Sequence, residues 1–434
     1  MRYPTSPFRR VGLVIALSAI PAVAFAQLPI TIQHTRPTDE RGVNVFEPPK
    51  EDTVSFKGAS LSWGAAFRQD FQGLDHENTA AARLVNGVDQ NKLITMGHGF
   101  NNAVANLYLN GQLAKGVRVA MTSYLSARHH NETWVKDGYL LIDDSPIDNP
   151  LLNSVMKHVT VKAGHFEINY ADSHFRRTDN GLAIFNPFVG NTILDPFTTE
   201  VGGEVYVHDS WWQVMAGATN GEVRGMVLNP GARSVAYLGK AGIDKKFGDL
   251  RLRLQGSTFL QKSSANQTLY GGDRGGSPYF DVLENTSSTE SSNAWSGEIR
   301  NPFTSKVNAF AFNPFIKYQG LEFFGQIETA KGNNGVTETT GDRTINQRVY
   351  DGLYRFFDDK LYVGGRYNTF SGTLAGISND VGVNRYEVGG GWFVTPNVLT
   401  KLEWVNQKYT DFPTTDIRNG GKFKGFMIEG AVAF

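Results

Sequence analysis

The sequence contains no cysteine, so it can form neither a disulfide framework nor a thiolate metal site. Beyond residue 26 it also lacks any apolar run that approaches the ~20 residues of a transmembrane helix. It has no surplus of either charge, since 42 basic residues stand against 42 acidic ones. Nucleic-acid binders carry a clustered basic surplus, so nucleic acid is not expected as a partner.

What the sequence does have is glycine and aromatic residues. It contains 47 glycine, 29 phenylalanine, 16 tyrosine and 7 tryptophan residues, yet its mean hydropathy is polar at −0.30. A membrane-spanning protein without hydrophobic helices must be a closed barrel, because every backbone N–H and C=O group within the lipid needs a hydrogen-bond partner in the protein. This composition therefore fits a β-barrel with a polar lumen.

The first residues have the pattern of an export signal. Arg2, Arg9 and Arg10 precede an apolar run over residues 11–25, which ends in the small-x-small sequence Ala24-Phe25-Ala26. This pattern predicts a secretory signal peptide over residues 1–26. The alternative is a membrane anchor, for which about fifteen apolar residues are few. Cleavage leaves 39 basic and 42 acidic residues, a net charge of −3.

Period-two alternation runs through most of the remaining chain. Leu107 and Leu109 alternate with Asn106, Tyr108 and Asn110 in a typical segment. Barrel strands in a membrane alternate lipid-facing apolar and lumen-facing polar residues over about ten positions. We therefore predict an all-β fold, a transmembrane antiparallel β-barrel over residues 57–434, preceded by a periplasmic leader over residues 27–56.

The alternating segments number about sixteen. Short and long links alternate between them, as in barrels with tight periplasmic turns and long outer loops. Residues 263–308 are ambiguous and leave room for an additional structured excursion. The predicted strands lie near 58–70, 99–113, 117–129, 133–142, 157–168, 200–208, 211–219, 233–246, 250–262, 309–318, 321–331, 346–357, 360–371, 384–394, 398–409 and 423–434.

The C-terminal segment carries a separate signal. Phe426, Ile428, Val432 and the terminal Phe434 fall on one face of the last predicted strand. A terminal phenylalanine closing an alternating strand resembles the sorting signature of outer-membrane barrels. It implies that Phe434 is an assembly signal for the barrel assembly machinery.

Four segments in order resemble a known family. They are VKDGY at 135–139, VTVKAGHF at 159–166, VGGEVY at 201–206 and GATNG at 217–221. This order resembles the phosphate-selective porin O/P family, although His165 stands where glutamine is usual. The resemblance implies a trimeric, sixteen-stranded porin of a Gram-negative outer membrane. No regular run of arginines is present to carry over a phosphate site.

The segment between the fifth and sixth strands is the candidate constriction. It carries Phe175, Phe185, Phe188 and Phe197, which would stand in water on a wholly exposed loop. We therefore expect residues 170–199 to fold inward as the third loop, with an outer lid or a trimer contact as the alternatives. Its charged residues would then narrow the pore: Asp172, His174, Arg176, Arg177 and Asp179.

Strand parity predicts which charged side chains line the pore. Both signs face inward, which predicts a transverse field and at most a weak preference for anions. One of Arg176 and Arg177 is expected to pair with a wall carboxylate such as Glu200 or Glu204. The predicted lining residues are Lys162, Glu204, Asp351 and Arg366 near mid-height, with Arg118, Arg251, Arg253 and Arg385.

The predicted function is a passive porin for small hydrophilic solutes or anions. A sixteen-stranded barrel is wide enough for an aqueous channel. No persuasive catalytic grouping or cofactor motif is present, and His129-His130 has no partner at metal-ligand spacing. An outer-membrane hydrolase and a non-conducting scaffold or adhesin are the alternatives.

Overall fold

The structure is a computed structural model. It describes residues 32, 34–47, 50, 55–126, 132–222, 233–335, 338 and 341–434. The predicted signal peptide and the His129-His130 pair lie outside the described residues.

Sixteen long strands form one closed antiparallel sheet. Each strand pairs with its neighbours in sequence, and the last strand closes on the first through pairs from Ala66↔Ala433 to Glu77↔Lys422. The predicted sixteen-stranded antiparallel barrel is confirmed. The strands are β1 Ser60–Glu77, β2 Val104–Ala114, β3 Val117–Ser126, β4 Glu132–Ile142, β5 Val159–Glu167, β6 Thr199–His208, β7 Trp212–Thr219, β8 Ala236–Phe247, β9 Leu250–Gln261, β10 Lys306–Tyr318, β11 Leu321–Asn333, β12 Arg343–Phe356, β13 Leu361–Thr373, β14 Asp380–Thr395, β15 Val398–Thr410 and β16 Lys422–Ala433.

The alternating apolar and polar residues of the strands lie on the outer and inner faces of the barrel wall, respectively. In β2, Leu107 points outward and is 45% exposed, whereas Asn106 points inward and is fully buried. Outward positions are mainly apolar, and inward positions carry most of the charged side chains, because successive residues of a strand face opposite sides. The inner face is thus polar.

The end of β1 departs from its predicted boundary. The sequence predicts an end near residue 70, but the strand continues to Glu77. Its last residues pair with the start of β16, where Lys422 Nζ lies 2.6 Å from Glu77 Oε1. Pairing with a strand distant in sequence extends β1 beyond its apolar pattern.

Tight turns join the strands at one rim, which we call the turn rim. Gly116, between β2 and β3, has a φ of +64°, and a Cβ there would collide with Asp144. The link between β4 and β5 is longer and contains the helix α1, Pro150–Met156, whose first turn is capped by Asn149. The opposite loop rim carries the long connections.

Of the residues that the structure describes, three segments occupy the barrel interior. They are the leader, residues 34–47, the third loop L3, residues 168–198, and the fifth loop L5, residues 262–305. Most of L3 and the middle of L5 are buried, and Val189, Ile193 and Leu194 of L3 join a core cluster with inward residues of the wall. Among the described residues, no helix is long and apolar enough to cross a membrane.

Candidate pore and its constriction

L3 is anchored inside the barrel through its backbone. Buried N–H groups need acceptors, and seven of those in L3 bond to polar side chains of the wall. Ala171 N donates to Ser257 Oγ at 3.0 Å, and Asp172 N donates to Asn313 Oδ1 at 2.9 Å. Three reach further round the wall: Val189 N to Glu403 Oε2, Ile193 N to Asn368 Oδ1 and Leu194 N to Gln347 Oε1, at 2.6–2.8 Å. The other two are Asn169 N to Glu204 Oε1 and Gly181 N to Asn106 Oδ1, at 2.8 and 3.0 Å.

The charged residues of L3 are buried in ion pairs. Arg253 Nε and Lys240 Nζ each lie 2.7 Å from the Asp172 carboxylate. Burial would raise the pKa of the Asp172 carboxyl, but Arg253 and Lys240 lower it below its usual value. His174 Nδ1 lies 3.2 Å from Glu167, and burial lowers the pKa of its ring.

The two adjacent arginines of L3 do point to different partners. Arg176 Nη2 lies 2.8 Å from Glu322 Oε1 on β11, and Arg177 Nη2 lies 2.5 Å from Asp195 of the loop itself. One arginine therefore pairs with a wall carboxylate, as expected, but the carboxylate is Glu322 on β11 and not Glu200 or Glu204. The reason is that L3 crosses the lumen toward the far wall instead of following the strands next to it.

Asp179 lies where L3 approaches the β2–β4 wall. It accepts a hydrogen bond from the Tyr124 hydroxyl, and its carboxylate lies 2.7 Å from Lys136 Nζ. Asn106 of β2 supports the same stretch, since it donates to Asp179 O and accepts from Gly181 N. This stretch therefore contacts three neighbouring strands of the wall, β2, β3 and β4.

The predicted lining residues all stand on the inner side of the wall. Most are neutralised by a carboxylate on a nearby strand or link, so the lumen carries both charges at short range. Arg366 lies 2.7 Å from Asp351, Lys162 3.5 Å from Glu204, Arg251 2.6 Å from Asp244, and Arg385 3.9 Å from Glu387, while Arg253 joins Asp172 and Arg118 joins Asp143.

L5 enters the lumen as well, which the sequence left open. The Tyr279 hydroxyl donates toward two wall carboxylates, Glu387 at 2.9 Å and Glu403 at 2.6 Å. The hydroxyls of Tyr270 and of Tyr170 in L3 both bond to Glu328. The aromatic residues of L5 could have indicated that this loop is buried, because on a wholly exposed loop they would stand in water, as would those of L3.

The leader lies within the turn rim. Glu40 N donates to Pro396 O in the β14–β15 turn at 2.9 Å, and Asn44 Nδ2 donates to Glu322 at 2.6 Å. Arg36 Nη2 donates to Phe175 O, and its guanidinium stacks 3.6 Å from the centre of the Phe185 ring. The leader therefore contacts both the wall and L3, which no sequence pattern indicated.

An open space remains beside these segments. A cavity of about 360 Å³ lies between the leader, L3 and the β2–β7 wall, and Tyr108, Lys136, Lys162 and Asp179 are among its lining residues. A second cavity of about 470 Å³ opens among the loops of the loop rim, beside Trp295 and Arg418. Within the described ranges, no group of three or more His, Asp or Glu side chains is arranged to hold a metal ion.

Comparison with solved structures places the fold among outer-membrane barrels. The chain is similar to a loop-deletion mutant of OmpT, an outer membrane protein of Vibrio cholerae, at 10% identity and a TM-score of 0.51, covering 87% of this chain and 100% of that one. It is similar to an anion-selective porin from Comamonas acidovorans at 11% identity and a TM-score of 0.51, covering 87% and 100%.

A third similar structure is OprB of Pseudomonas putida, with 12% identity, a TM-score of 0.51 and coverage of 87% of this chain and 94% of that one. No family model and no curated protein matches the sequence. At such identities the likeness concerns the fold.

Proposed function

We propose that this chain is a porin of a Gram-negative outer membrane, through which small hydrophilic solutes diffuse passively. The observation that carries the proposal is the polar inner wall beside an open cavity of about 360 Å³. A scaffold barrel needs no such lining. The fold shared with an anion-selective porin and with OprB supports the same function.

Solutes are proposed to pass between L3 and the β2–β7 wall. Lys136, Lys162, Arg177 and Asp179 line this route, with Arg176 behind it in L3. Because most of these charges have partners of opposite sign, selectivity should be weak. The resemblance to the phosphate-selective family is therefore proposed to extend to architecture and a homotrimeric assembly, without a phosphate filter.

Recordings in planar bilayers test the proposal. Purified protein should produce stepwise conductance in potassium chloride, and liposomes containing it should swell in small sugars or amino acids. Absence of current from folded protein, including a variant that lacks residues 27–50, would favour the non-conducting scaffold. The folded state is checked by the faster migration of unheated barrel on denaturing gels.

A further inference from the structure

Glu47 of the leader forms ion pairs with two cationic side chains of the lumen, Lys240 and Arg253. Glu47 Oε1 lies 2.9 Å from Lys240 Nζ and 3.1 Å from Asn169 Nδ2, and Glu47 Oε2 lies 2.6 Å from Arg253 Nη2. The Lys240 side chain is fully buried and that of Arg253 is 3% exposed. Burial alone would raise the pKa of the Glu47 carboxyl, but Arg253 and Lys240 lower it well below its usual value.

The balance of charge around Glu47 indicates an anion site. Lys240 and Arg253 share Asp172, and Arg253 and Arg251 share Asp244. Three cations therefore face two carboxylates of the wall and L3. Without Glu47, these three cations and two carboxylates would carry one unbalanced positive charge inside the barrel. Burying an unpaired charge is unfavourable for folding.

An aromatic slot adjoins the carboxylate site. The Phe46 ring is 2% exposed and meets the rings of Phe315 and Phe175 edge-on, with centroids 5.3 and 5.7 Å away. Arg253 Cζ lies 4.2 Å from the centre of the same ring. One guanidinium thus contacts both an aromatic face and a carboxylate.

The leader is held without joining the sheet. Residues 34–47 form no strand pairing with the wall, and side chains such as Asn44, Phe46 and Glu47 supply much of the attachment. A tethered segment of this kind competes with a free ligand at an effective concentration in the millimolar range, set by its linker. Because the leader makes no strand pairing, its release would leave the hydrogen bonds between the barrel strands in place.

We propose that the leader is an internal ligand, and that its Phe46–Glu47 pair occupies a lumenal site for an aromatic carboxylate. Lys240, Arg253 and Asn169 bind the carboxylate, and Phe315 and Phe175 receive the ring. A solute of this class displaces the pair and frees the turn rim. The inference deepens the proposed channel function and names a solute class for it.

Calorimetric titration with phenylpropanoate tests the site in the full chain in detergent. Phe46→Ala/Glu47→Ala, which vacates the site, should bind phenylpropanoate about tenfold or more tightly than the wild type does, since the internal competitor is gone. Glu40→Ala removes a leader carboxylate outside the site and is the matched control, expected to bind as the wild type does. Phenylpropanol and propanoate, which lack one of the two groups, should bind weakly to every variant.

A further substitution assigns the binding to the wall. Lys240→Met in the double-variant background should abolish the gain while leaving the barrel folded, as judged by gel mobility. Equal affinity of the double variant, Glu40→Ala and the wild type would overturn the proposal and leave the leader a structural plug. If binding follows the expected pattern but no variant conducts, the site stands and the porin function fails.

Discussion

Replacing Leu109 with arginine tests the register of the whole wall. Leu109 is the central residue of the eleven-residue strand β2 and faces outward. Its cross-strand neighbours Trp63 and Met121 are exposed on the same outer face. An arginine near the bilayer midplane costs ~2–4 kcal/mol, so the folding constant should fall between about 30-fold and nearly 1000-fold.

The adjacent position provides the control. Asn110 faces inward and lines the open cavity, so the guanidinium of Asn110→Arg remains in a polar space. Its cost should stay within about 0.5 kcal/mol, as for a surface substitution. Leu109→Ala measures how much of the effect comes from the lost apolar side chain alone.

The assay is guanidinium unfolding of barrel refolded into phosphatidylcholine vesicles, followed by tryptophan emission. The structure requires a far larger loss for Leu109→Arg than for Asn110→Arg. Equal losses, or the reverse order, would refute the assigned faces, because a shift of register by one residue turns every side chain to the other side.

Three further predictions concern assembly, selectivity and loop anchoring. Deletion of Phe434, whose backbone N donates to Ala65 O at the closing seam, should lower outer-membrane levels far more than it lowers the stability of purified barrel; normal surface labelling would contradict this. Arg176→Glu/Arg177→Glu should move the reversal potential in a salt gradient toward cations, and an unchanged potential would place both outside the conducting path. Asn106→Ala removes the acceptor of Gly181 N and should cost about 1–3 kcal/mol with noisier currents; unchanged unfolding and noise would show that L3 does not depend on it.

The wall was predictable because its pattern is local. A strand with lipid on one side and polar contacts on the other shows its period in any ten residues, as Asn106 and Leu107 do. The inward placement of Arg366 and Asp351 follows from the same parity. The boundary of β1 was not predictable, because its last residues are held by Lys422 at the other end of the chain.

The filling of the lumen depends on contacts distant in sequence. The phenylalanines of L3 indicate that the loop must be buried, but not which part of the wall it contacts. The sequence therefore could not show that Arg176 pairs with Glu322 and not with Glu204. The leader carries a single phenylalanine in residues 34–47, too few for a sequence argument. Its position follows from Glu47 and Asn44, whose partners, from Asn169 to Glu322, lie 122–278 residues later in the chain.

The anchors of L3 also set an order of events during assembly. Seven side chains of the wall accept N–H groups of L3, and six of them, from Glu204 on β6 to Glu403 on β15, lie on strands that follow L3 in the sequence. Asn106 of β2 is the exception. L3 cannot complete its hydrogen bonds until β9 to β15 have taken their places, because contacts of long sequence separation form only after the intervening chain is ordered. The barrel must therefore be nearly closed before L3 is fully anchored, and a chain arrested before β15 is left with a third loop that only part of its wall contacts hold.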